Sequence, residues 1–544
     1  MVGYLWPIRG RLRPWIVRCR PGGTGRGLGV QTFAGGILGG GILGGGTFGR
    51  GTAGRIAGAI GLTVALSGCL DLVKPDLAID IPPSYRAPHG PAEAATPTLD
   101  WWRGFRSREL TALMEEALTA NFDIAIAIAQ ITQADAQVRI TGAPLLPNIG
   151  LNASDTVSMP SQQTGGGAGG AGGAGGTGGA GVGAGGGGGG TRQLFAGSFT
   201  ASYVVDFWGK NRAALNAAIE TSIMDRYNRE VVEITTLSSV ATTYFQILAS
   251  RDRLRIARRN LAAATTILDV IKQQFAAGTV SDLNVAQQEA LVEQVRATIP
   301  PLEITLGQNT AALAVLLGKA PELFNTRASG MDTVAVPRVT PGLPSDLMNR
   351  RPDIRVAEEQ LKSAGYSVES ARAAFFPTIS LTSDVGVQSA ALRTLFGPGA
   401  WFYTAAASLS QPIFDGGVLL GTFEQQQGLQ AQMIHAYRKA ILSGFSNVEQ
   451  MLIALEQTTA QERIQDHVVK ASRRAFELSQ QQLKQGTVNM VTLLQVEQTL
   501  FTAEDQLAQD RLARLQAVVG LFQALGGGWP PATPRQAAAQ TNAG

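Results

Sequence analysis

Two periods alternate along this chain, and their order predicts its elements. From Leu110 to Val138 apolar residues recur at helical spacing: Leu110, Leu113, Leu118, then Ile124, Ile128, Ile131 and Val138, interrupted at Asn121. Trp101 and Trp102 open this region. Pro144 and Pro147 stop it, because proline lacks the amide hydrogen a helix interior needs. From Asn148 the period falls to two. Ile149, Leu151, Ala153, Val157 and Met159 alternate with Asn148, Gly150, Asn152, Ser154, Thr156 and Ser158. The alternation resumes with Phe195, Phe199, Ala201, Tyr203, Val205 and Phe207, which makes a hairpin over about 147–207. Residues 165–190 between its strands are almost all glycine, cannot bury a core, and are expected to form a disordered loop. A second hairpin spans about 377–413. In it Ile379, Leu381, Val385 and Val387 alternate with Thr378, Ser380, Thr382, Asp384 and Gln388. Trp401, Tyr403, Ala405, Ala407 and Leu409 then alternate with Thr404, Ser408 and Ser410. Each strand is about 10–13 residues long, the length a tilted transmembrane strand needs. Phe195, Phe207, Trp208, Trp401, Phe402 and Phe414 lie near strand ends, as an interfacial girdle would.

Heptads fill the rest. Val240, Ile247, Leu254, Leu261, Leu268 and Phe275 fall every seventh residue, with Ala257, Ala264 and Ile271 between them. Val292, Ile299, Leu306 and Leu313 follow, and later Leu493, Leu500, Leu507 and Leu521. Sustained heptads predict helices packed along their length. Two turns break them, Gly278-Thr279-Val280-Ser281 and Gly486-Thr487-Val488-Asn489. Glycine leaves a helix cheaply through positive φ, and a Thr or Ser after it caps the next helix. With no gap, Gln287/Gln495, Glu289/Glu497, Gln308/Gln516, Leu313/Leu521 and Gly318/Gly526 also coincide. Gly209, at the exit of the first hairpin, lies 69 residues before Gly278, and Gly417 lies 69 before Gly486. Two helices of equal length are predicted, each roughly 100 Å at 1.5 Å per residue. The chain reads as two internal structural repeats, 101–320 and 345–528. A proline-rich link, 321–344, joins them, and a tail expected to be disordered follows at 529–544.

Charge changes the picture little. The 544 residues have a formal net charge of +4, but residues 1–68 hold eight Arg and no acid. The remainder carries 37 basic and 41 acidic residues, so a nucleic-acid partner loses its support. Arg50 and Arg55 precede an apolar run, Ile56 to Leu66, which is too short to span as a helix and ends in small residues before Cys69. Residues 1–68 therefore read as a leader, with 1–49 an over-called start, and 69–100 as a polar, proline-rich linker. The pattern resembles a bacterial lipoprotein signal. That resemblance implies cleavage before Cys69 and an N-acyl diacylglycerol lipid (palmitate among its chains) on this residue, with more than one chain for stable attachment. Leu70 in place of Asp favours the outer membrane by the same resemblance. Beyond the leader Cys69 is the one cysteine, so disulfides and cysteine metal sites are excluded. His89, His435 and His467 lack zinc-ligand spacing, and no Walker motif is present. The reading is of a protein that is not an enzyme and has no metal or cofactor besides the lipid.

Four strands cannot close a membrane barrel, which needs at least about eight. Open edges facing lipid are not viable, so copies must share the barrel. A dimer gives eight strands and a filled interior; a trimer gives twelve and a lumen, which suits the small polar face. The helices would continue below as a tube too long for any bilayer, standing in the periplasm. The chain resembles TolC-type outer-membrane efflux proteins, in particular their lipid-anchored (NodT- and OprM-like) branch. The resemblance is carried by Cys69, Trp101-Trp102, Asp206-Phe207-Trp208-Gly209-Lys210, Asn349-Arg350-Arg351-Pro352-Asp353-Ile354, Gln411-Pro412-Ile413-Phe414-Asp415-Gly416-Gly417 and the paired turns. It implies an α + β membrane protein: four transmembrane β-strands per chain in a trimeric 12-stranded β-barrel, continued by a long coiled-coil-like α-helical barrel. It also implies a passive exit duct for drugs or small solutes, anchored in outer-membrane lipid. The partners would be a periplasmic membrane-fusion adaptor at 278–281 and 486–489 and an inner-membrane pump, of the RND (proton-driven) type. Arg351, Pro352, Asp353, Gly416 and Gly417 read as structural.

Three departures from the family pattern are visible. Val418 replaces a basic residue, which predicts a local junction effect. Pro300-Pro301 should kink the first ascending helix. Where relatives often place Asp near the periplasmic aperture, Thr492 and Gln495 stand here, with Val491 and Leu494 nearby, so an uncharged constriction is expected; Asp282 is a further aperture candidate. Two other readings remain open from the sequence, a type I protein-secretion duct and a structural periplasmic lipoprotein without a lumen.

Overall fold

The computed structural model describes residues 85, 99–159, 191–327, 330–339, 344–485 and 487–528. The leader 1–68, Cys69, nearly all of the linker 69–100, the glycine tract 165–190, Gly486 and the tail 529–544 lie outside the described residues. All of the described elements belong to one unit, Val73–Gly544.

A short 3-10 turn, Trp101–Phe105, leads into α1 (Arg108–Ala120) and α2 (Phe122–Gly142). The interruption at Asn121 is a change of helix. Its side chain accepts from the amides of Asp123 (2.8 Å) and Ile124 (3.1 Å), satisfying orphan donors at the start of α2. Strands β1 (Asn148–Ser158) and β2 (Arg192–Val205) follow, then α3 (Lys210–Ala276), α4 (Asp282–Ala297) and α5 (Ile299–Leu316). The second half runs α6 (Pro344–Arg350), α7 (Pro352–Ala373), β3 (Thr378–Ser389), β4 (Trp401–Ser410), α8 (Val418–Lys484) and α9 (Met490–Ala524). Helices α3 and α8 each contain 67 residues, as the equal spacing predicts. Where a kink is expected at Pro300-Pro301, a single residue, Thr298, separates two helical segments, and its φ of −76° and ψ of −18° stay right-handed helical. Helix α4 stops at Ala297 and α5 restarts at Ile299, with proline in its first turn, where a missing amide hydrogen costs nothing. Among the described residues no helix is long and apolar enough to cross a membrane.

The four strands form one antiparallel sheet in the order β1-β2-β3-β4. The register gathers Ile149, Leu151, Phe199, Tyr203, Leu381, Val385, Tyr403 and Leu409 on one face. Asn152, Ser198, Thr200, Thr382, Asp384, Thr404 and Ser408 share the other, where Asn152 donates to Thr200 (3.0 Å) and Ser380 meets Ser408 (2.7 Å). Phe402 and Asp155 are among the residues off the expected faces. Phe402 pairs with Gly386 and so belongs to the polar face, not to an outward girdle. Asp155 pairs with Phe195 on the apolar face, where the Gln193 amide donates to both of its oxygens at 3.1 Å.

Each hairpin feeds a long helix through an aspartate. Asp206 accepts from the amides of Asn211 (3.0 Å) and Arg212 (2.9 Å), and Asp415 from those of Gly417 (2.9 Å) and Leu419 (2.7 Å). The backbone turns through left-handed residues there, Gly209 at φ 77° and Gly416 and Gly417 at φ 67° and 89°. Burial raises the pKa of Asp206, but hydrogen bonds from Arg212 and Asn211 outweigh it and the net shift is downward. Hydrogen bonds from Leu419 and Gly417 lower that of Asp415. Val418 is the exposed first residue of α8. Trp208 stacks on Phe376 (4.6 Å between ring centroids) and donates to the Pro377 carbonyl (2.9 Å), which ties the two hairpins together.

The heptad seams are buried largely as predicted. Val240, Ile247, Leu254, Leu268, Ala264 and Ile271 are buried on α3, and Leu493, Leu500, Leu507 and Leu521 on α9; Phe275 is half-exposed, where the seam runs out. The aromatic centre of the core lies where Trp101, Trp102 and Phe105 meet Phe245 of α3 and Phe522 of α9, with Trp101 stacked on Phe522 at 5.0 Å. A separate apolar cluster joins α3, α4 and α9 near the two turns.

Candidate functional site

The two turns share one local construction. At the first, Gly278 takes φ 75°, and Thr279 bonds back to the Gln274 carbonyl through its amide (3.0 Å) and its hydroxyl (2.9 Å). At the second, Thr487 does the same to the Gln482 carbonyl, at 3.0 and 3.1 Å. The threonines therefore close the helix they leave, and do not cap the one that follows. That task falls to Ser281, whose amide donates to Asn284 (3.2 Å), and to Asn489, which accepts from the Thr492 amide (2.9 Å) and hydroxyl (2.8 Å). Gly278, Thr279, Ser281, Thr487 and Asn489 are exposed, while Val280 and Val488 are half-buried. Each turn is tied back to the helix it leaves and offers small polar groups to solvent.

The residues singled out for the aperture sit directly behind these turns. Asp282 is the exposed first residue of α4. Val491 and Gln495 are exposed on α9, and Thr492 is engaged with Asn489. Gln495 continues into a groove of about 540 Å³ lined by Gln465, Val468, Gln498, Thr499, Thr502 and Gln506. Every polar group named there is a neutral amide or hydroxyl, consistent with the substitution of Thr492 and Gln495 for acids.

The Arg351-Pro352-Asp353 stretch joins the start of α7 to two other helices. Arg351 is buried, bonds both Asp353 oxygens (2.9 and 2.6 Å), and donates to the carbonyls of Ala524 (3.0 Å) and Gly444 (3.4 Å). It thereby satisfies an orphan carbonyl at the end of α9. The first half has the same joint, built from different chemistry: the Asn121 amide donates to the Leu316 carbonyl (2.7 Å) at the end of α5. Closeness is obligatory at both, since a side chain on Gly318 or Gly526 would strike the carbonyl of Ala120 or Arg350.

One residue near the turns escapes a reading of the sequence. Glu497 stands out there only as the counterpart of Glu289. Glu289 is exposed and paired with Lys272 (2.8 Å), whereas Glu497 is 0% exposed. A signal does exist. Met490, Glu497 and Glu504 lie seven apart and flank Leu493, Leu500 and Leu507, so the two glutamates occupy seam positions.

Known proteins resemble this chain in both sequence and fold. The sequence matches the outer membrane efflux protein family over residues 113–319 and 343–527. It is 36% identical over 473 residues to the pyoverdine export outer membrane protein OpmQ of Pseudomonas aeruginosa, covering 86% of this chain and 96% of that protein. It is 28% identical to the antibiotic efflux pump outer membrane protein ArpC of Pseudomonas putida, covering 87% and 95%. Among solved structures, the CmeC outer membrane channel of Campylobacter jejuni superposes with a TM-score of 0.76 at 21% identity (87% and 97% covered), a likeness of fold. The open-state MtrE channel of Neisseria gonorrhoeae gives 0.72 at 25% identity, with 84% and 97% covered.

Proposed function

The chain belongs to the outer membrane efflux protein family and is the outer-membrane channel component of an efflux system, and from that premise we propose how its parts are used. The family is one of channels, not of enzymes. Three copies join β1 of one to β4 of the next, closing a twelve-stranded barrel with the Asn152/Thr200/Ser408 face inward. The observation that carries this reading is a four-stranded sheet with one apolar face and no partner strand on either edge among the described residues. Such edges are not tolerated in lipid, and eight strands would leave no lumen. The matched 67-residue helices support reading 101–320 and 345–528 as internal repeats, with α3 and α8 extending the duct roughly 100 Å into the periplasm.

Cys69 carries the lipid anchor in this reading. The turns at 278–281 and 486–489 receive a periplasmic adaptor, and an inner-membrane pump of the RND type drives cargo through the passive duct. Val491, Thr492, Gln495 and Asp282 border its periplasmic aperture. Relatives named for small-molecule efflux favour that cargo class over secreted protein, and the higher identity to pyoverdine export proteins makes a pyoverdine-like product the first cargo to assay.

The test is electrophysiological and biochemical. Detergent-extracted protein should migrate as a heat-dissociable trimer and conduct in planar bilayers. Gln495→Asp should raise cation selectivity about severalfold if this residue lines the constriction, since a new ring of charge acts at close range. A monomer without conductance would sink the duct. Unchanged selectivity would remove Gln495 from the aperture.

A further inference from the structure

Glu497 is fully buried on α9, and neither carboxylate oxygen has a hydrogen-bond partner. Its surroundings are apolar: Ala264, Leu268 and Ile271 of α3, Val285, Leu291 and Val292 of α4, and Leu493 and Leu494 of α9 form the cluster here. A polar neighbour is Gln288 of α4, also 0% exposed. The Gln288 amide nitrogen donates to the Ala264 carbonyl (3.0 Å), and its oxygen is left without a donor. The pocket thus holds three unsatisfied acceptor oxygens. A bare carboxylate in such a place costs several kcal/mol, whereas a protonated one brings the missing donor and removes the charge.

Glu504, one heptad further along the same seam, shows how a buried glutamate is partnered here. It is also buried, and Arg259 and Arg473 both grip it, the latter at 2.5 Å. Among the described side chains no cation does this for Glu497. On α3, Lys272 pairs with Glu289 and Asp269 is exposed. On α4, Arg296 pairs with Glu293 (2.5 Å) and Asp282 is exposed; on α8, Arg474 and Glu477 are exposed. Burial pushes the Glu497 pKa up to about 7; the Gln288 side chain, near but not placed to bond either oxygen, offsets only part of that rise.

We propose that Glu497 is a proton-binding site inside the wall of the duct, two helical turns from the tips, which latches the α3–α4 hairpin to α9 when protonated and loosens that contact when the proton leaves. The proton passes from the Glu497 carboxyl to water, and the remaining carboxylate forces the seam to admit solvent. Because the folded pKa lies above the ordinary value of 4.5, the contact is strongest below that value and weakens as pH rises through about 7. The tips would then ease apart in neutral to alkaline periplasm and tighten in acid.

This deepens the duct reading, and rests on it only for conductance. Hydrogen exchange of α4 and α9 amides in detergent, divided by intrinsic rates, tests the latch directly. Opening of these segments should rise about tenfold between pH 6 and 8, the linkage expected for a carboxyl moved from 4.5 to about 7. Glu497→Gln, the neutral isostere, should abolish the response and hold the low-pH value, while Glu289→Gln, at the equivalent exposed position, should keep it. Single-channel open probability should follow the same pattern. A wild-type protein without pH response, or a Glu497→Gln variant that retains it, overturns the proposal. A response that vanishes in Glu497→Gln but comes without any conductance supports the proton site and counts against the duct.

Discussion

At the scale of single residues, the joints between sheet and helix depend on side chains that anchor free backbone amides. Asp206 satisfies two of the orphan donors of α3 while it also pairs with Arg212 (3.3 Å). Asp206→Ala should lower stability in urea unfolding by about 1–2 kcal/mol, the range for losing such a cap. Its folded pKa is depressed, so this contribution is present above the ordinary value of 3.8 and disappears as pH falls through the lower folded value. The gap between wild type and variant should therefore close in acid; a gap that persists would mean the carboxylate charge is not what matters. Residues of this kind are legible as motifs in the sequence, because an aspartate followed by glycine before a long helix has few other uses. Glu497 and Asp155 are not. Each breaks a hydrophobic pattern by one position, and a pattern absorbs one exception without complaint. The seven-residue spacing of Met490, Glu497 and Glu504 puts Glu497 on the seam, but its lack of a partner shows only in the packing, and the pairing of Asp155 only in the register.

At the scale of elements, the two halves solve one problem with unlike parts. The end of α5 is held by Asn121, and the end of α9, at the equivalent position, by Arg351. The two sites share no partner, so their losses should add. Asn121→Ala should cost about 1–2 kcal/mol through cap and carbonyl together. Arg351→Lys should cost about 1–3 kcal/mol, because a lysine cannot bond both Asp353 oxygens and the Ala524 carbonyl at once. A double variant that departs from additivity by more than about 0.5 kcal/mol would show that the joints communicate. Strand and helix existence, and the equality of the long helices, can be read from periodicity and spacing alone. The strand order cannot, since β2 pairs with β3 across the whole length of α3 to α7. Nor can the point at which α4 gives way to α5, since proline announces a defect but not which residue takes it up.

At the scale of the whole molecule, α3 and α8 act as two rulers cut to one length. Removing one heptad from α8 and α9 would raise one turn above the other by about 10 Å, yet leave each seam in phase. Such a protein should insert in the membrane but fail to restore export in a deletion strain. Removing the same heptad from α3 and α4 as well should restore it with a shorter tube, measurable by electron microscopy. If the unmatched deletion exports normally, the two turns need not be level. The broader consequence concerns how the length of such a tube can change over evolutionary time. An insertion in one helix alone is a fault, and so is one in a single hairpin. Length can drift only in sevens, and only when four separate stretches of the gene change together. The tube's reach is therefore close to frozen, and a partner spanning the remaining gap would have to do the adapting.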